Sequence, residues 1–229
     1  MAQETKRYAV VTGANKGIGF EIVRQLASKG IVVVLTARDE KKGLEAVEKL
    51  KDYGLSDHVV FHQLDISDPA SIASLADFIK AKFGKLDILV NNAGISGLKQ
   101  EADLNIPNKR AQGVLGDVEN LTEEKLDEIL KEFLKDFKEG SVEAKGWPTF
   151  ASAYTISKAA VSAYTRILAK KYPSFCINCV CPGYVKTDLN SNAGNVPVEE
   201  GAARAVRLAL LPDGSPSGMF FVQQEVSSF

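Results

Sequence analysis

Thr12-Gly-Ala-Asn-Lys-Gly-Ile-Gly19 sets three glycines, at 13, 17 and 19, between an apolar run and the start of a helical pattern. No other stretch constrains the fold as much. Before it, Tyr8-Ala-Val-Val-Thr12 is apolar and β-branched, and beyond it Ile31-Val-Val-Val-Leu-Thr36 is a second, purer run. Strands apolar on both faces belong in a covered parallel sheet. Between the runs, Ile18, Ile22, Val23 and Leu26 recur at helical spacing from Gly17 to Lys29, and Gly30 supplies a C-terminal stop. That makes one βαβ unit. His58-Val-Val-Phe-His-Gln-Leu64 and Leu86-Asp-Ile-Leu-Val90 read as third and fourth strands, with helices at about 40 to 52 and 69 to 83. The class predicted is α/β, a Rossmann-type doubly wound parallel sheet.

After Val90 the alternation stops, because residues 91 to 153 hold no apolar run of four or more β-favouring residues. The segment carries one helix signal. Thr122 is its N-cap, Glu123 and Glu124 its first turn, and Leu126, Ile129, Leu130, Phe133, Leu134 and Phe137 form one stripe opposite a Lys/Glu/Asp face. An extra surface helix near 122 to 138 is predicted, and the polar, Gly/Asn-rich stretch from 96 to 120 reads as loop. Order then resumes with a helix from Ser152 to Lys171, a strand from Phe175 to Cys181, a helix from Val198 to Leu211 and a strand from Gly218 to Val222. A chain of 229 residues is long enough for one α/β domain and short for two, so residues 1–229 are expected to form a single dinucleotide-binding domain.

With 28 basic against 29 acidic side chains, nothing points to a nucleic-acid partner. No stretch approaches the roughly eighteen apolar residues of a membrane span, and the polar amino end lacks the apolar core of a leader. A soluble, cytoplasmic protein without a membrane partner is expected. Cys176, Cys179 and Cys181 are an odd set in one apolar run, so a disulfide framework is not expected. Cys179 and Cys181 would share a strand face as buried thiols. Zinc would need further ligands at suitable spacing, and His58 and His62 belong to a separate strand-like run; no metal is expected.

The chemistry of the glycine turn follows from its place in the βαβ unit. Glycines permit positive φ and close backbone approach, while the helix N-terminus offers free N–H groups and a positive dipole to a pyrophosphate. Which dinucleotide it takes depends on the end of the second strand. Arg38, with Lys16 in the turn, suits the 2'-phosphate of NADP(H), whereas Asp39 could accept from the ribose hydroxyl of NAD. Two ordinary surface cations are the plainer alternative.

The spacing Gly-x-x-x-Gly-x-Gly, with Asp65 after the third strand, Asn91-Asn-Ala-Gly94, Tyr154-x-x-x-Lys158 and Pro182-Gly-Tyr-Val-Lys-Thr187, resembles the short-chain dehydrogenase/reductase family along essentially the whole chain. The wording of the turn, the helix after Thr122 and the tail Pro-Ser-Gly-Met-Phe-Phe are similar to its plant carbonyl reductases. The resemblance implies NADP(H), a small-molecule ketone of terpenoid or alkaloid type, and a monomer, because the extra helix covers the surface through which other members associate. It also implies roles. Tyr154 would give a proton to the carbonyl oxygen as hydride arrives, and Lys158 would lower the tyrosine pKa and bond the nicotinamide ribose. Gly13, Asn15, Lys16, Gly17, Ile18, Gly19 and Arg38 would hold the phosphates, and Asp65 and Ile66 the adenine. Asn91, Ala93 and Gly94 would line the adenosine and ribose, and Pro182, Gly183, Val185 and Thr187 the carboxamide. Two plainer readings stay open: a helix tyrosine with a lysine snorkelling at i+4, and Asp65 serving only the turn before the next helix.

The family also places a serine at the end of a fifth strand, and an asparagine on the helix before it. Here both elements fall in the strandless region, so the fifth strand and preceding helix are expected to be missing, with the loss between Leu98 and Val114. Ser96, Ser141 and Ser152 follow no apolar strand, and none is assigned the serine's role. Losing an oxyanion donor costs on the order of 100-fold in rate. Three functions therefore compete: an NADPH-dependent ketone reductase, a shortened relative that binds NADPH without efficient turnover, and an enone C=C reductase.

Overall fold

The computed structural model describes residues 6–94 and 106–227. The chain divides into two compact units, residues 1–95 with 184–210, and residues 96–183 with 211–229.

The first unit begins with β1 (Tyr8–Val11), α1 (Gly17–Ala27), β2 (Val32–Ala37), α2 (Glu40–Lys51), β3 (Val59–Gln63), α3 (Pro69–Phe83) and β4 (Ile88–Val90). The strands form a parallel sheet in the order β3-β2-β1-β4. Tyr8 lies opposite Val32, Ala9 opposite Ile88, and Val33 opposite Val59. Alternation along the strands sends Ala9, Val11, Val33 and Leu35 to one face, where they pack with Ile22, Val23 and Leu26 of α1 and Leu50 of α2. Val10 and Val34 face the other way, against Leu75 and Ile79 of α3. All four strand residues of the first set are fully buried. Each buried Val or Leu among them contributes about 1.5 to 3 kcal/mol, which is why these runs must be apolar throughout. Capping fixes where the helices start. The Asp39 side chain accepts from Lys42 N at 3.0 Å to open α2, and Asp68 from Ala70 N at 3.0 Å to open α3, with Pro69 at its first position. After the second unit's segment the chain returns with Val185 in a parallel bridge to Val196, and then α7 (Val198–Ala209), whose Ala202 and Val206 join the α1 face.

The second unit holds α4 (Lys109–Gly116), α5 (Glu123–Lys138) and α6 (Ser152–Lys171), with β5 (Cys179–Cys181), β6 (Phe220–Val222) and β7 (Glu225–Ser227). Ile129, Phe133, Trp147, Ile156, Ala159 and Ala163 are at the centre of its core. Arg166 and Lys170 of α6 donate to the carbonyls of Leu115 (3.2 Å) and Val118 (2.6 Å), taking up acceptors that the end of α4 leaves open. β5 pairs parallel with β6, and β6 antiparallel with β7. Beside this ladder side chains add to the main-chain bonds from Gly218 N to Ile177 O (2.7 Å) and from Cys179 N to Met219 O (3.0 Å). Asn178 accepts from Met219 N (2.9 Å) and donates to Pro216 O (2.9 Å), and Ser217 Oγ accepts from Ile177 N (2.9 Å).

Several sequence expectations need correction. The predicted loop over 96–120 contains α4, which opens on Asn108, whose side chain accepts from Ala111 N at 2.8 Å. The strand predicted over 175–181 is a ladder only from Cys179; before it Ser217 Oγ takes Ile177 N and the Asn178 amide takes Pro216 O, and among the described residues Ile177 O alone keeps a main-chain partner across the pair, Gly218 N. β7 was not anticipated. The α5 stripe is narrower than predicted, with Leu126, Ile129 and Phe133 buried but Leu134 and Phe137 about half exposed. Cys179 and Cys181 are partly exposed rather than buried. Among the described residues, no strand lies between Val90 and Cys179, β4 pairs with β1 alone, and β5 with β6 alone. Also among them, no helix is long and apolar enough to cross a membrane.

Candidate active site

In the first unit the glycine turn is knitted to the strip after β4. Gly13 (φ +62°) and Gly17 (φ +58°) occupy the left-handed region. A Cβ on Gly13 would lie 2.8 Å from Ala93 Cα, and one on Gly19 only 2.4 Å from Asn92 Nδ2. Asn92 Nδ2 donates to Thr12 O (2.9 Å) and Gly13 O (3.2 Å), while Thr12 Oγ1 accepts from the N–H of both Asn92 (3.0 Å) and Ala93 (2.9 Å). Gly17 is different: its nearest neighbour would be Thr187 Cγ2 at 3.6 Å. Thr187 is itself held by Asn190, whose Oδ1 accepts from Thr187 N at 3.2 Å. The structure thus brings Gly13, Gly17, Gly19, Ala93 and Thr187 together, with Asn15, Ile18, Asn91 and Gly94 on the same short segments. Asn92 and Thr12 were not singled out from the sequence, although Thr12 directly precedes the first glycine, at the strand end where a hydroxyl can serve two amides.

The start of α1 fits a phosphate. Its N-cap is Lys16, which makes no side-chain cap, so among the described residues the first-turn amides have no side-chain partner. Lys16 Nζ is 3.4 Å from Asp188 Oδ2, an exposed pair that a stronger anion could replace. At the end of β2, Asp39 is committed. Beyond its bond from Lys42 N, its Oδ2 lies 3.6 Å from Lys42 Nζ, and these contacts hold its carboxyl below the ordinary range. Arg38 accepts from Gln63 Nε2 through its carbonyl, and its guanidinium donates no hydrogen bond among the described residues. Asp65 accepts from Ser67 Oγ (2.6 Å) and Ser67 N (2.9 Å), and these bonds lower its pKa, with Arg38 adding a smaller attraction. Asp68, not Asp65, caps α3. Ile66 beside it is about half exposed, leaving an apolar surface free for a ring. The Val185 side chain packs on Gly201, where a Cβ would meet it at 2.5 Å, so its main chain is what it can offer a ligand.

In the second unit, Tyr154 and Lys158 lie one turn apart near the start of α6, with Lys158 Nζ 5.4 Å from the centre of the tyrosine ring. The sequence led us to expect a lowered phenol pKa. In the structure burial pushes it up, and the neighbouring Cys181 thiol adds to the rise. Lys158 sits over the ring and not against the hydroxyl, so its charge does not offset desolvation. Tyr154 is therefore a protonated phenol at neutral pH, in the form that can give a proton. Gly183 (φ +82°) follows Pro182 at the far end of β5. Cys179 Sγ lies 3.4 Å from Ser162 Oγ on α6. Among the described residues, no three His, Cys, Asp or Glu side chains converge as metal ligands.

The serines are engaged elsewhere. Ser152 Oγ donates to Pro148 O, and Ser141 Oγ to Asp136 O at 3.2 Å. Ser96 lies outside the described residues, as do residues 98–105 of the stretch from Leu98 to Val114 in which a loss was expected.

Comparison with known proteins bears on this arrangement. Residues 7–114 match the short chain dehydrogenase family and residues 140–211 a family described as enoyl-(acyl carrier protein) reductase. The chain is 52% identical to short-chain dehydrogenase/reductase 1 of Saponaria officinalis, over 98% of this chain and 96% of that one. It is 48% identical to a (+)-neomenthol dehydrogenase of Arabidopsis thaliana, over the full length of both. Its fold matches the structure of salutaridine reductase from Papaver somniferum with a TM-score of 0.88 at 44% identity, covering 95% and 99% of the two chains. The alignment with the Saponaria protein spans 291 positions against the 229 residues of this chain, so part of that relative has no counterpart here, and the shortfall is internal to the aligned span.

Proposed function

Because the chain belongs to the short-chain dehydrogenase/reductase family of oxidoreductases, we propose that it is an NADPH-dependent reductase of a small, largely apolar ketone of terpenoid or alkaloid type. Residues 1–229 would act as one dinucleotide-binding domain. The substrate class is suggested by the similarity to a neomenthol dehydrogenase and a salutaridine reductase. NADPH over NADH is supported by the end of β2, where Asp39 spends its oxygens on Lys42 and Arg38 keeps its guanidinium for an added phosphate.

Bound NADPH supplies the hydride. The amides at the start of α1, with Gly17 leaving the approach open, would hold its pyrophosphate, and Lys16 would exchange Asp188 for that anion. Asn91, Ala93 and Gly94 would line the ribose, and Asp65 and Ile66 the adenine. Pro182, Gly183, Val185 and Thr187 would face the carboxamide. Tyr154 would release its phenolic proton to the carbonyl oxygen as that oxygen gains charge, and Lys158 would stabilise the tyrosinate left behind. The observation that carries the reading is the half-buried Tyr154 with Lys158 one turn on and over its ring. Tyr154→Phe should keep NADPH binding, read by quenching or enhancement of cofactor fluorescence, and lose ketone turnover. Unchanged turnover would sink the mechanism.

A second reading is favoured by the internal shortfall against the relatives and by serines that are occupied or outside the described residues. In it the chain binds NADPH with little turnover. A thermal shift with NADPH but no cofactor oxidation across a panel of apolar ketones would select it, and the product formed from an enone would separate carbonyl from C=C reduction.

A further inference from the structure

Asp136 breaks two ordinary rules. It sits in the last turn of α5, where the helix dipole disfavours negative charge, and it is 5% exposed, whereas no other acid of that helix is buried. What holds it there is Trp147. The indole Nε1–H donates to Asp136 Oδ2 at 2.8 Å, and the ring, 1% exposed, lies edge-on to Phe133 with centroids 5.3 Å apart. Main-chain bonds close the loop between the two residues. Ser141 N donates to Asp136 O at 2.9 Å, and Trp147 N to Val142 O at 2.9 Å.

From Trp147 the chain reaches Tyr154 through two fixed points, Pro148 and Ala151, with the exposed Thr149 and Phe150 between them. Pro148 follows, its carbonyl clamped by Ser152 Oγ. Ala151 then takes a left-handed conformation (φ +55°), rare for a residue with a Cβ, and its carbonyl accepts from Thr155 N at 2.9 Å to start α6. Tyr154 lies within that first turn. A pivot in a sparsely populated conformation persists only if its flanks are fixed, and the flank on the amino side is the segment that Trp147 anchors.

We infer that Asp136 is a positioning residue for Tyr154, acting through the Trp147 indole to set how the first turn of α6 presents the phenol. The inference rests on the reading of Tyr154 as the proton donor. It gives the added surface helix a part in the chemistry besides covering the core.

The test uses the whole chain with Asp136→Ala and Asp136→Asn. Two readouts are taken: hydrogen exchange of the peptide over 148–158, and kcat on a ketone the wild type reduces, with NADPH affinity alongside. In the alanine variant, exchange over 148–158 should rise and kcat fall, each by about tenfold, while NADPH affinity and exchange over 40–52 stay as in wild type. Asparagine keeps an oxygen for the indole N–H and should restore both. If alanine only lowers the unfolding midpoint, with exchange over 148–158 and kcat unchanged well below it, the inference is wrong. It is equally wrong if asparagine behaves like alanine. Should Asp136→Ala fail to fold, Trp147→Phe removes the donor, keeps most of the ring, and should show the same two changes. A wild-type chain with no turnover would refute the catalytic reading of Tyr154, and the exchange data would still decide whether Asp136 fixes the segment.

Discussion

Asn92 reaches from the end of β4 into the glycine turn, its side-chain amide donating to the carbonyls of Thr12 and Gly13 at 2.9 and 3.2 Å. The turn therefore owes its shape to a residue eighty positions away as much as to its own glycines. Asn92→Ala leaves two part-buried carbonyls without that donor and should cost about 1 to 2 kcal/mol in urea unfolding. NADPH affinity should fall with it. A variant with wild-type stability and affinity would show that the glycines hold the turn unaided.

Two glycines with the same sign of φ should respond differently to alanine. Gly13 meets Ala93 Cα at 2.8 Å, whereas a Cβ on Gly30 (φ +79°) would find no atom within 4 Å. Gly30→Ala carries only the left-handed penalty, about 1 to 2 kcal/mol, and Gly13→Ala should exceed it by about as much again through the clash. Equal losses in denaturant midpoints would refute the distinction.

Cofactor choice can be read from Arg38 alone. Loss of a charge-assisted bond to phosphate is worth about 1.5 to 3 kcal/mol, so Arg38→Ala should weaken NADPH by about 10- to 100-fold and leave NADH unchanged. Titration with each cofactor measures the ratio. Equal weakening of both would remove the guanidinium from the 2' position.

The pH dependence of turnover follows from the direction in which Tyr154 is shifted. Burial, then Cys181, raise its pKa, so the acid form is complete below the ordinary value near 10 and is lost only as pH climbs through the higher folded value. Ketone reduction by wild type should show no falling limb from this group between about pH 6 and 9. A falling limb in that window with NADPH saturating would contradict the raised phenol.

What the sequence disclosed depends on the range of the forces involved. β1, α1 and β2 were legible because period-two and helical apolar patterns meet at glycines that the turn requires. α5 was legible because Thr122, Glu123 and Glu124 announce its start. α4 escaped because it has two turns and contains Gly113 and Gly116, so only Asn108 signalled it. β7 escaped because its hairpin turns on Gln223 (φ +56°), with neither Gly nor Asn in the loop. At the candidate site, local spacing named the glycines but not the Thr12 and Asn92 bonds that cross the sheet. Asp39 was left as a possible ribose acceptor, and only coordinates reveal that it is spent as the cap of α2. Periodicity says which residues share a face, and it is silent on which polar atoms already have partners.

The side-chain clamp beside β5 and β6 bears on how the chain reaches its native state. Three-residue strands specify their alignment weakly, and these two must find each other across about forty residues of intervening chain. Asn178 and Ser217 offer bonds that only one alignment satisfies, so a misaligned encounter gains little and dissolves. Asn178→Ala should then leave equilibrium stability almost intact yet split refolding into more than one phase, as chains search among slipped pairings that the wild type never occupies for long.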